Sequence, residues 1–384
     1  MANETTFDIK EGFELGGIHH VTAISSSAQH IYDFFTNILG LRLAKLTVNQ
    51  DDYETYHLYF TDEDGNAGTD MTFFDFPGIP KGTKGTNNID RASFRVPSDE
   101  SLTYWLDRFD RAEVIHGEVA ERFGKKFFEF EDFDGQQYQI ISDQNNVGVA
   151  AGKPWQLSNV PDEHGIVGLG PVFVKISNFE HIDLVLQKVL GFRRTGDDGA
   201  FHQYELAEGG NGATLIIQDD PNEGVAWQGF GNIHHLALRV KDPDSLRYWI
   251  DRIKSFRFPD SGLVDRFYFS SEYFQVAQGV LFELATDTPG VGALDMAKSG
   301  AGKVDSYEEA LITSGFWIDE TKDEAGLDLS LPPHLFPGDE AVKAATAARL
   351  RPLDTSDAHD KRDDNDLWTI SRILEHNPVN KTAE

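Results

Sequence analysis

The stretch that decides the fold is written twice in this chain. Residues Asn232–Val240 read NIHHLALRV, and residues Asn88–Val96 read NIDRASFRV at an offset of 144 positions. The match continues without a gap, so that residues 101–108 (SLTYWLDR) fall on residues 245–252 (SLRYWIDR). A repeat of this length fixes the architecture, and the differences between its copies indicate where chemistry has been placed.

The two copies differ at residues that can carry chemistry. The later copy has His235 and Glu283 where the earlier copy has Arg91 and Gln139. The candidate functional residues of this repeat therefore lie in the later copy.

A second repeat divides the chain into four related units. Residues 17–21 (GIHHV) align with residues 168–172 (GLGPV) at an offset of 151. In each unit an apolar strand is followed by an amphipathic helix and then by short strands. The units form two tandem pairs, and they cover about residues 15–80, 86–143, 165–221 and 230–288.

Linkers and the tail set the expected domain boundaries. Polar, Gly- and Pro-rich linkers lie near 143–164 and 287–305. We therefore expect an N-terminal paired domain at 1–145, a C-terminal paired domain at 160–290 and an extension at 291–384 that packs on the core. Within the extension we expect helices near 340–350 and 366–376, and an irregular strap at residues 331–333 and 336–338.

Composition excludes several classes of function. The 384 residues include no cysteine, which excludes disulfides, a thiolate nucleophile and a cysteine-ligated zinc site. No apolar run approaches the roughly 18 residues of a membrane span, and the N-terminus does not resemble a secretory signal. We therefore expect a cytoplasmic protein without a membrane partner.

The net charge of −30 comes from 64 acidic and 34 basic residues. It would repel phosphate backbones, so we expect no nucleic-acid partner. The acidic residues could simply provide a soluble surface. An excess of this size is otherwise destabilising through self-repulsion, so we favour a halophilic protein from a salt-rich cytoplasm, where screening is strong.

We predict that folding depends on salt. Raising KCl from about 0.1 M to about 2 M should raise the Tm by several degrees, because a shorter Debye length weakens repulsion between acidic side chains. Thermal unfolding followed by circular dichroism measures this, and a Tm that is indifferent to salt contradicts the halophilic interpretation.

Three residues are candidate metal ligands: His20 at the start of unit one, and His235 and Glu283 in unit four. Two imidazoles and one carboxylate on one face of an octahedral ion form the facial triad of non-heme Fe(II) oxygen chemistry, which leaves positions for substrate and dioxygen. A lone strand histidine is more often a packed or surface residue. Glu283 lies in an otherwise apolar strand, where a carboxylate without a partner is costly, although a half-exposed strand could also turn it to solvent.

Histidine pairs open units one and four, at residues 19–20 and 234–235. Successive strand residues point to opposite faces, so one histidine of each pair can face a cavity. The strand period alone does not show which one.

At this point the sequence resembles a known group, the vicinal oxygen chelate superfamily, which includes glyoxalase I, bleomycin-resistance proteins and extradiol dioxygenases. It is more similar to the hydroquinone-type ring-cleaving dioxygenases. The residues that carry this likeness are 17–22 (GIHHVT), 232–237 (NIHHLA), 265–274 (DRFYFSSEYF) and 331–333 (LPP).

The resemblance implies an α+β fold of four βαβββ modules in two tandem pairs, each pair forming a cupped mixed sheet. It implies a dioxygenase that binds Fe(II), with Mn(II) as the alternative, and that acts on a small aromatic diphenol and dioxygen. The metal ligands would be His20, His235 and Glu283. A homo-oligomer is compatible with this interpretation.

The resemblance also implies four further catalytic residues: His19, His234, Tyr273 and Arg266. His19 or His234 would move protons, Tyr273 would donate a hydrogen bond, and Arg266 would hold a carboxylate. From composition alone, Tyr273 fits the core and Arg266 fits a surface ion pair. We expect His57 to have only a structural role.

Two other functions remain open. A glyoxalase-type lyase or isomerase would need a second carboxylate ligand, where unit one offers Thr72 and unit two offers Gln139. A non-catalytic protein that binds a small aromatic compound would take up ligand without consuming oxygen.

Overall fold

The computed structural model describes residues 8–333, 340–363 and 365–378. The strands are β1 Ile18–Ile24, β2 Arg42–Asn49, β3 Asp52–Thr61, β4 Asp70–Phe74, β5 Asn88–Val96, β6 Ala120–Arg122, β7 Lys125–Glu131, β8 Gln137–Ser142, β9 Val172–Ile176, β10 Arg193–Asp198, β11 Phe201–Glu205, β12 Thr214–Asp219, β13 Asn232–Val240, β14 Val264–Asp265, β15 Ser270–Ala277 and β16 Val280–Thr286. The helices are α1 Ala28–Asp33, α2 Asp99–Arg111, α3 Phe179–Leu184, α4 Pro243–Ser255, α5 Val291–Lys298, α6 Tyr307–Ala310, α7 Glu340–Ala347 and α8 Ile370–Glu375.

The predicted four-unit architecture is confirmed. The four units, called modules one to four from here on, each consist of a strand, a helix and three strands. They comprise β1–β4 with α1, β5–β8 with α2, β9–β12 with α3, and β13–β16 with α4. All four helices begin at a side-chain cap that accepts a hydrogen bond from a backbone N–H three residues later. The capping residues are Ser27, Ser98, Asn178 and Asp242.

The helices of modules one and three end in the same way. Each continues into a π-helical turn, at Phe34–Ile38 and Val185–Val189. Gly40 and Gly191 follow with φ of +67° and +79°, a backbone conformation that residues with a Cβ rarely adopt.

Each of the two eight-stranded sheets in the described residues combines modules from both halves of the chain. One sheet has the order β14-β15-β16-β13-β1-β4-β3-β2, which joins module four to module one. The other has the order β10-β11-β12-β9-β5-β8-β7-β6, which joins module three to module two. The α+β class with cupped mixed sheets is confirmed.

The seam between β1 and β13 decides which modules meet. These strands pair antiparallel, with Thr22 opposite His235, whereas β5 pairs with β9 in the other sheet. The expected paired domains at 1–145 and 160–290 therefore do not correspond to separate sheets. Pairing opening strands across the halves satisfies backbone groups that would otherwise form exposed edges.

The extension after β16 packs into the sheet of modules one and four. Phe316 and Trp317 lie in a buried cluster with Tyr59 and Tyr268. Lys45 of β2 is fully buried and forms ion pairs with Asp319 and Glu320 of the extension.

The tail contributes α7 and α8, which lie within the two ranges where helices were predicted. At the end of α8, His376 Nδ1 lies 2.6 Å from Asp33 Oδ2 of module one. Of the predicted strap, residues 331–333 are irregular, and residues 336–338 lie outside the described residues. No helix in the described part of the chain combines the length and apolarity that crossing a membrane requires.

Glu272 of β15 is a buried carboxyl group whose two oxygens have no hydrogen-bond partner. Burial, reinforced by Asp260, raises the pKa of Glu272 to about 8. The folded state therefore holds this proton at pH values where the unfolded chain has lost it. By linkage, this group's contribution to stability is complete below the ordinary glutamate pKa and is lost as pH rises to about 8.

We predict that Glu272→Gln, which keeps the shape but cannot ionise, raises the Tm by a few degrees at pH 8.5. At pH 4, below the ordinary glutamate pKa, the variant and the parent should melt together. Calorimetry at the two pH values measures the difference, and an equal Tm change at both would show that the charge of Glu272 is not the cause.

Candidate metal centre and active site

The β1–β13 seam and the adjoining strand β16 bring three predicted ligands together. His20 lies on β1 and His235 on β13, while Glu283 lies on β16, which pairs in parallel with β13. The histidines are 215 residues apart in sequence, yet their Nε2 atoms lie 3.2 Å apart.

The three side chains present one atom each at the corners of a small triangle. Glu283 Oε2 lies 3.1 Å from His20 Nε2 and 3.0 Å from His235 Nε2. An octahedral ion with bonds of about 2.1 Å holds neighbouring ligand atoms about 3.0 Å apart, so the triangle has the dimensions of one face of an octahedron. Among the described residues, these three side chains form the group of His and acidic residues that lie close enough together to share one metal ion.

The electrostatics of the triangle also fit a cation. His20, His235 and Glu283 are 1%, 3% and 0% exposed. Burial alone would raise the pKa of Glu283, but the adjacent imidazoles His20 and His235 outweigh it and hold the pKa well below its ordinary value. Burial lowers the pKa of His235. A carboxylate and imidazole lone pairs converging in a buried site are the donor set of a divalent ion.

The first histidine of the opening pair fixes the tautomer of the second. His19 Nε2 lies 3.2 Å from the carbonyl oxygen of Thr286, to which its N–H donates a hydrogen bond. The Nδ1 atom of His19 is then an acceptor for Nδ1–H of His20, at 2.9 Å. His20 consequently presents an unprotonated Nε2 to the triangle, which is the form that binds a metal ion.

A similar contact occurs in module four, where His234 Nδ1 lies 2.8 Å from His235 Nδ1. Burial lowers the pKa of His234 to about 3, so its imidazole is neutral near pH 7. His234 lines the cavity in front of the triangle, whereas His19 lies behind it.

Ser271 holds the other oxygen of the carboxylate. Its hydroxyl donates to Glu283 Oε1, whereas Glu283 Oε2 has no hydrogen-bond partner and faces the two imidazoles. The contact directs one oxygen of Glu283 to the triangle and favours a monodentate ligand.

A cavity of about 420 Å³ opens in front of the triangle. Apolar walls surround the polar centre, as is usual for sites that bind small organic molecules. The walls include Phe74, Phe76, Phe269 and Leu281.

Tyr273 and Arg266 lie at this cavity and contact each other. Tyr273 stands opposite Glu283 in the β15–β16 pair, and its hydroxyl accepts a hydrogen bond from Arg266 Nε at 3.2 Å. Burial raises the pKa of Tyr273, which keeps the phenol protonated. Arg266 also forms an ion pair with Asp51 at 2.8 Å, so a residue of module one already neutralises its charge.

His57 is a cavity residue that sequence reasoning interpreted as only structural. It lies in the cavity wall, where Tyr59 Oη is 2.9 Å from Nδ1 and Thr72 Oγ1 is 2.9 Å from Nε2. Thr72 is in turn 2.7 Å from Thr22, which extends the chain of hydrogen bonds to β1. Alternation in β3, which places His57 and Tyr59 on one face, is the signal that could have identified it.

The repeat-related position in the other sheet does not form an equivalent site. Arg91 and Gln139 replace two of the ligands, and the third position is Pro171. Arg122 stacks 3.8 Å from the ring of Phe201, and the remaining cavity is about 20 Å³. That volume holds about one water molecule, so the second sheet retains the fold without the site.

Comparison with known proteins places the chain in a family. Residues 17–140 match the model of the Glyoxalase/Bleomycin resistance protein/Dioxygenase superfamily. The chain is 36% identical over 345 residues to "Putative ring-cleaving dioxygenase MhqA" of Bacillus subtilis, covering 88% of this chain and 99% of the relative. The protein belongs to this superfamily.

Within it, the similar proteins are dioxygenases by name. The chain is 30% identical over 327 residues to the chlorohydroquinone/hydroquinone 1,2-dioxygenase of Sphingobium indicum, covering 83% of this chain and 92% of the relative. A crystal structure titled as a "putative dioxygenase" from Bacillus subtilis superposes with a TM-score of 0.75 at 30% identity, covering 89% of this chain and 98% of that chain. Glyoxalase I from Zea mays shares the fold, with a TM-score of 0.51 at 12% identity over 71% of this chain and 92% of that one.

We predict that Ser271→Ala weakens metal binding about 10-fold, because the carboxylate loses the contact that orients it. Ser271→Thr keeps the hydroxyl and should restore most of the affinity. Titration with Fe(II) under anaerobic conditions measures both. Equal affinity in Ser271→Ala and the parent would show that the hydroxyl does not position Glu283.

Proposed function

We propose that this protein is a metal-dependent ring-cleaving dioxygenase that inserts dioxygen into a hydroquinone- or catechol-like ring. The observation that carries the proposal is the buried triangle of His20, His235 and Glu283 at the end of an apolar cavity. The similarity to ring-cleaving dioxygenases over most of the chain supports it.

We propose Fe(II) as the metal ion, with Mn(II) as the alternative, because two imidazoles and one carboxylate suit either. Such an ion, held by His20, His235 and Glu283, would lower the pKa of a bound phenol and would activate dioxygen toward the substrate. The triangle supplies at most one negative charge, which leaves the site a net positive charge for a phenolate.

The cavity supports a flat aromatic substrate. Phe74 and Phe269 offer ring surfaces close to the triangle, since Phe74 lies 6.5 Å from His235 and Phe269 lies 5.1 Å from His20, measured between ring centroids. Burying one aromatic face of the substrate against such walls removes apolar area from water, at about 25 cal/mol per Å². The walls therefore orient the ring while the triangle holds its oxygen.

Polar residues around the ring have separate roles in this proposal. The hydroxyl oxygen of Tyr273 accepts a hydrogen bond from Arg266 Nε. The hydroxyl proton of Tyr273 is therefore available to stabilise negative charge that develops on a substrate oxygen. His234 is neutral at the cavity, and because its Nδ1 accepts from Nδ1–H of His235, its own proton lies on Nε2 and can form a hydrogen bond to a substrate oxygen. His19 has both nitrogens engaged, so we assign it the orientation of His20 rather than proton transfer.

For Arg266 we propose a role other than the expected one of holding a substrate carboxylate. Its guanidinium is already shared between Asp51 and Tyr273. We therefore propose that Arg266 positions the hydroxyl of Tyr273.

A glyoxalase-type reaction has less support. It would need a second carboxylate ligand, and the candidate group in the described residues contains only Glu283 as an acid. Thr72 points to His57 rather than to a metal, and Gln139 lies in the other sheet. A non-catalytic aromatic binder is distinguished by the oxygen measurement below.

The experiment is anaerobic Fe(II) reconstitution followed by oxygen uptake with a panel of hydroquinones and catechols. We expect uptake of one dioxygen per diphenol, with loss of the aromatic absorbance. Protein that retains iron but consumes no oxygen with any diphenol contradicts the proposal, and methylglyoxal turnover would favour the glyoxalase alternative.

We predict that Glu283→Gln lowers Fe(II) affinity by at least about 100-fold and abolishes oxygen uptake. The repeat provides a matched control, because Gln139→Glu places the same carboxylate at the equivalent position of the other sheet. That variant should gain no second metal, since Arg91 and Pro171 stand where the histidines would be needed. Iron analysis after desalting measures both, and full iron content in Glu283→Gln would remove Glu283 from the ligand set.

The partners and location are part of the same proposal. We propose a small diphenol and dioxygen as substrates, in a cytoplasmic protein adapted to high salt. The net charge of −30 supports the salt adaptation.

A further inference from the structure

A second, larger cavity of about 540 Å³ lies behind the triangle. Three segments that are distant in sequence meet around it: residues 65–70 of module one, residues 149–152 of the linker and residues 311–316 of the extension. His19 lines this rear cavity, whereas His20 lines the front one. The rear cavity therefore extends to His19, whose ring contacts His20, although none of the three candidate ligands lines it.

One aromatic ring separates the two cavities. Phe269 lines both of them and is 4% exposed. Its ring centroid lies 5.1 Å from that of His19 and 5.1 Å from that of His20. Phe316 and Tyr268 of the rear wall pack on Tyr59 of the front wall, at 5.0 Å and 6.0 Å, so the partition as a whole is aromatic.

The two arginines that line the rear cavity are already paired with carboxylates. Arg95 donates to both carboxylate oxygens of Asp143, at 2.6–3.1 Å. The repeat-related pair Arg239 and Asp287 makes the same bidentate contact, at 2.8 Å and 3.0 Å. These two arginines are consequently poor anchors for an anionic ligand, which leaves the exposed Lys241 as the remaining cation of the lining.

The partition discriminates by polarity. An ion or a strongly hydrated molecule would have to lose its water to pass between aromatic rings, which costs several kcal/mol. A small apolar molecule has no such cost, as apolar cavities that stay dry but take up xenon show. Phe269 is the aromatic residue that such a molecule would have to pass, since it lines both cavities.

We propose that the rear cavity is the access route for dioxygen, with Phe269 as the ring that admits it to the metal centre. This inference rests on the proposed function, because it assigns a route to one of the two substrates. A diphenol held on the triangle would occupy part of the front cavity. Dioxygen would then enter the same cavity past Phe269, beside the diphenol, without displacing it.

The test uses nitric oxide, which binds Fe(II) at positions open to dioxygen and needs no turnover. The rear cavity is narrowed by replacing two small residues that line it, Ala67→Trp and Ala150→Trp, neither of which lines the front cavity. Ala120→Trp, at an exposed position on the other sheet, is the matched control for an added indole. Stopped-flow absorbance follows nitric oxide association with the Fe(II) protein under anaerobic conditions, with and without saturating hydroquinone.

With hydroquinone bound, we expect the doubly substituted protein to associate with nitric oxide at least fivefold more slowly than the parent or Ala120→Trp. Without hydroquinone, the front cavity is open and all three rates should agree within twofold. Equal rates with hydroquinone bound overturn the rear route while leaving the proposed function intact.

A second measurement is independent of iron and of turnover. Crystals of the metal-free protein pressurised with xenon should show a xenon site in the rear cavity against Phe269, and that site should be absent after Ala67→Trp and Ala150→Trp. Absence of xenon from the rear cavity of the parent protein overturns the proposal. If the protein instead fails to bind Fe(II) or hydroquinone, the proposed function fails, and the xenon result alone decides the route.

Discussion

The structure depends on the pairing of its first strand with the opening strand of its last module. This antiparallel seam places His20 beside His235, and the neighbouring strand β16 adds Glu283. A fully buried carboxylate is costly without a partner, and here its partners come from the two ends of the fold. The position of the ligands, the shape of the front cavity and the closure of the sheet all follow from that seam.

Much of the fold and of the candidate site could be predicted from the sequence, because the repeat supplies two kinds of information. Matched positions such as the capping residues Ser98 and Asp242 reveal elements that recur. Mismatched positions such as Gln139 and Glu283 reveal where one copy has kept chemistry that the other lacks. An apolar strand that contains a single acid is a strong local signal, and the structure places that acid at the triangle.

The remaining features depend on contacts that no local pattern encodes. Hydrophobic periodicity predicts the strands but not which strands pair. Order along the chain favours sheets built from modules one and two and from modules three and four. In the structure, one sheet instead joins the first module with the last. The ion pair between Arg266 and Asp51, a residue of another module, is one such contact. The orientation of His19 likewise depends on a backbone carbonyl 267 residues away. His57 is a different case, because the alternation of side chains along β3 already indicates that it shares a face with Tyr59.

Joining the first and last modules also sets the order of events during synthesis. While the ribosome is still translating module three, the nascent chain contains His20 but neither of its partners, and β1 has an unpaired edge. The sheet of modules two and three can close before the sheet of modules one and four, which must wait for module four at residues 232–286. In the proposed function, a metal ion can therefore bind only late in synthesis, because Glu283 is the last of the three candidate ligands in the chain.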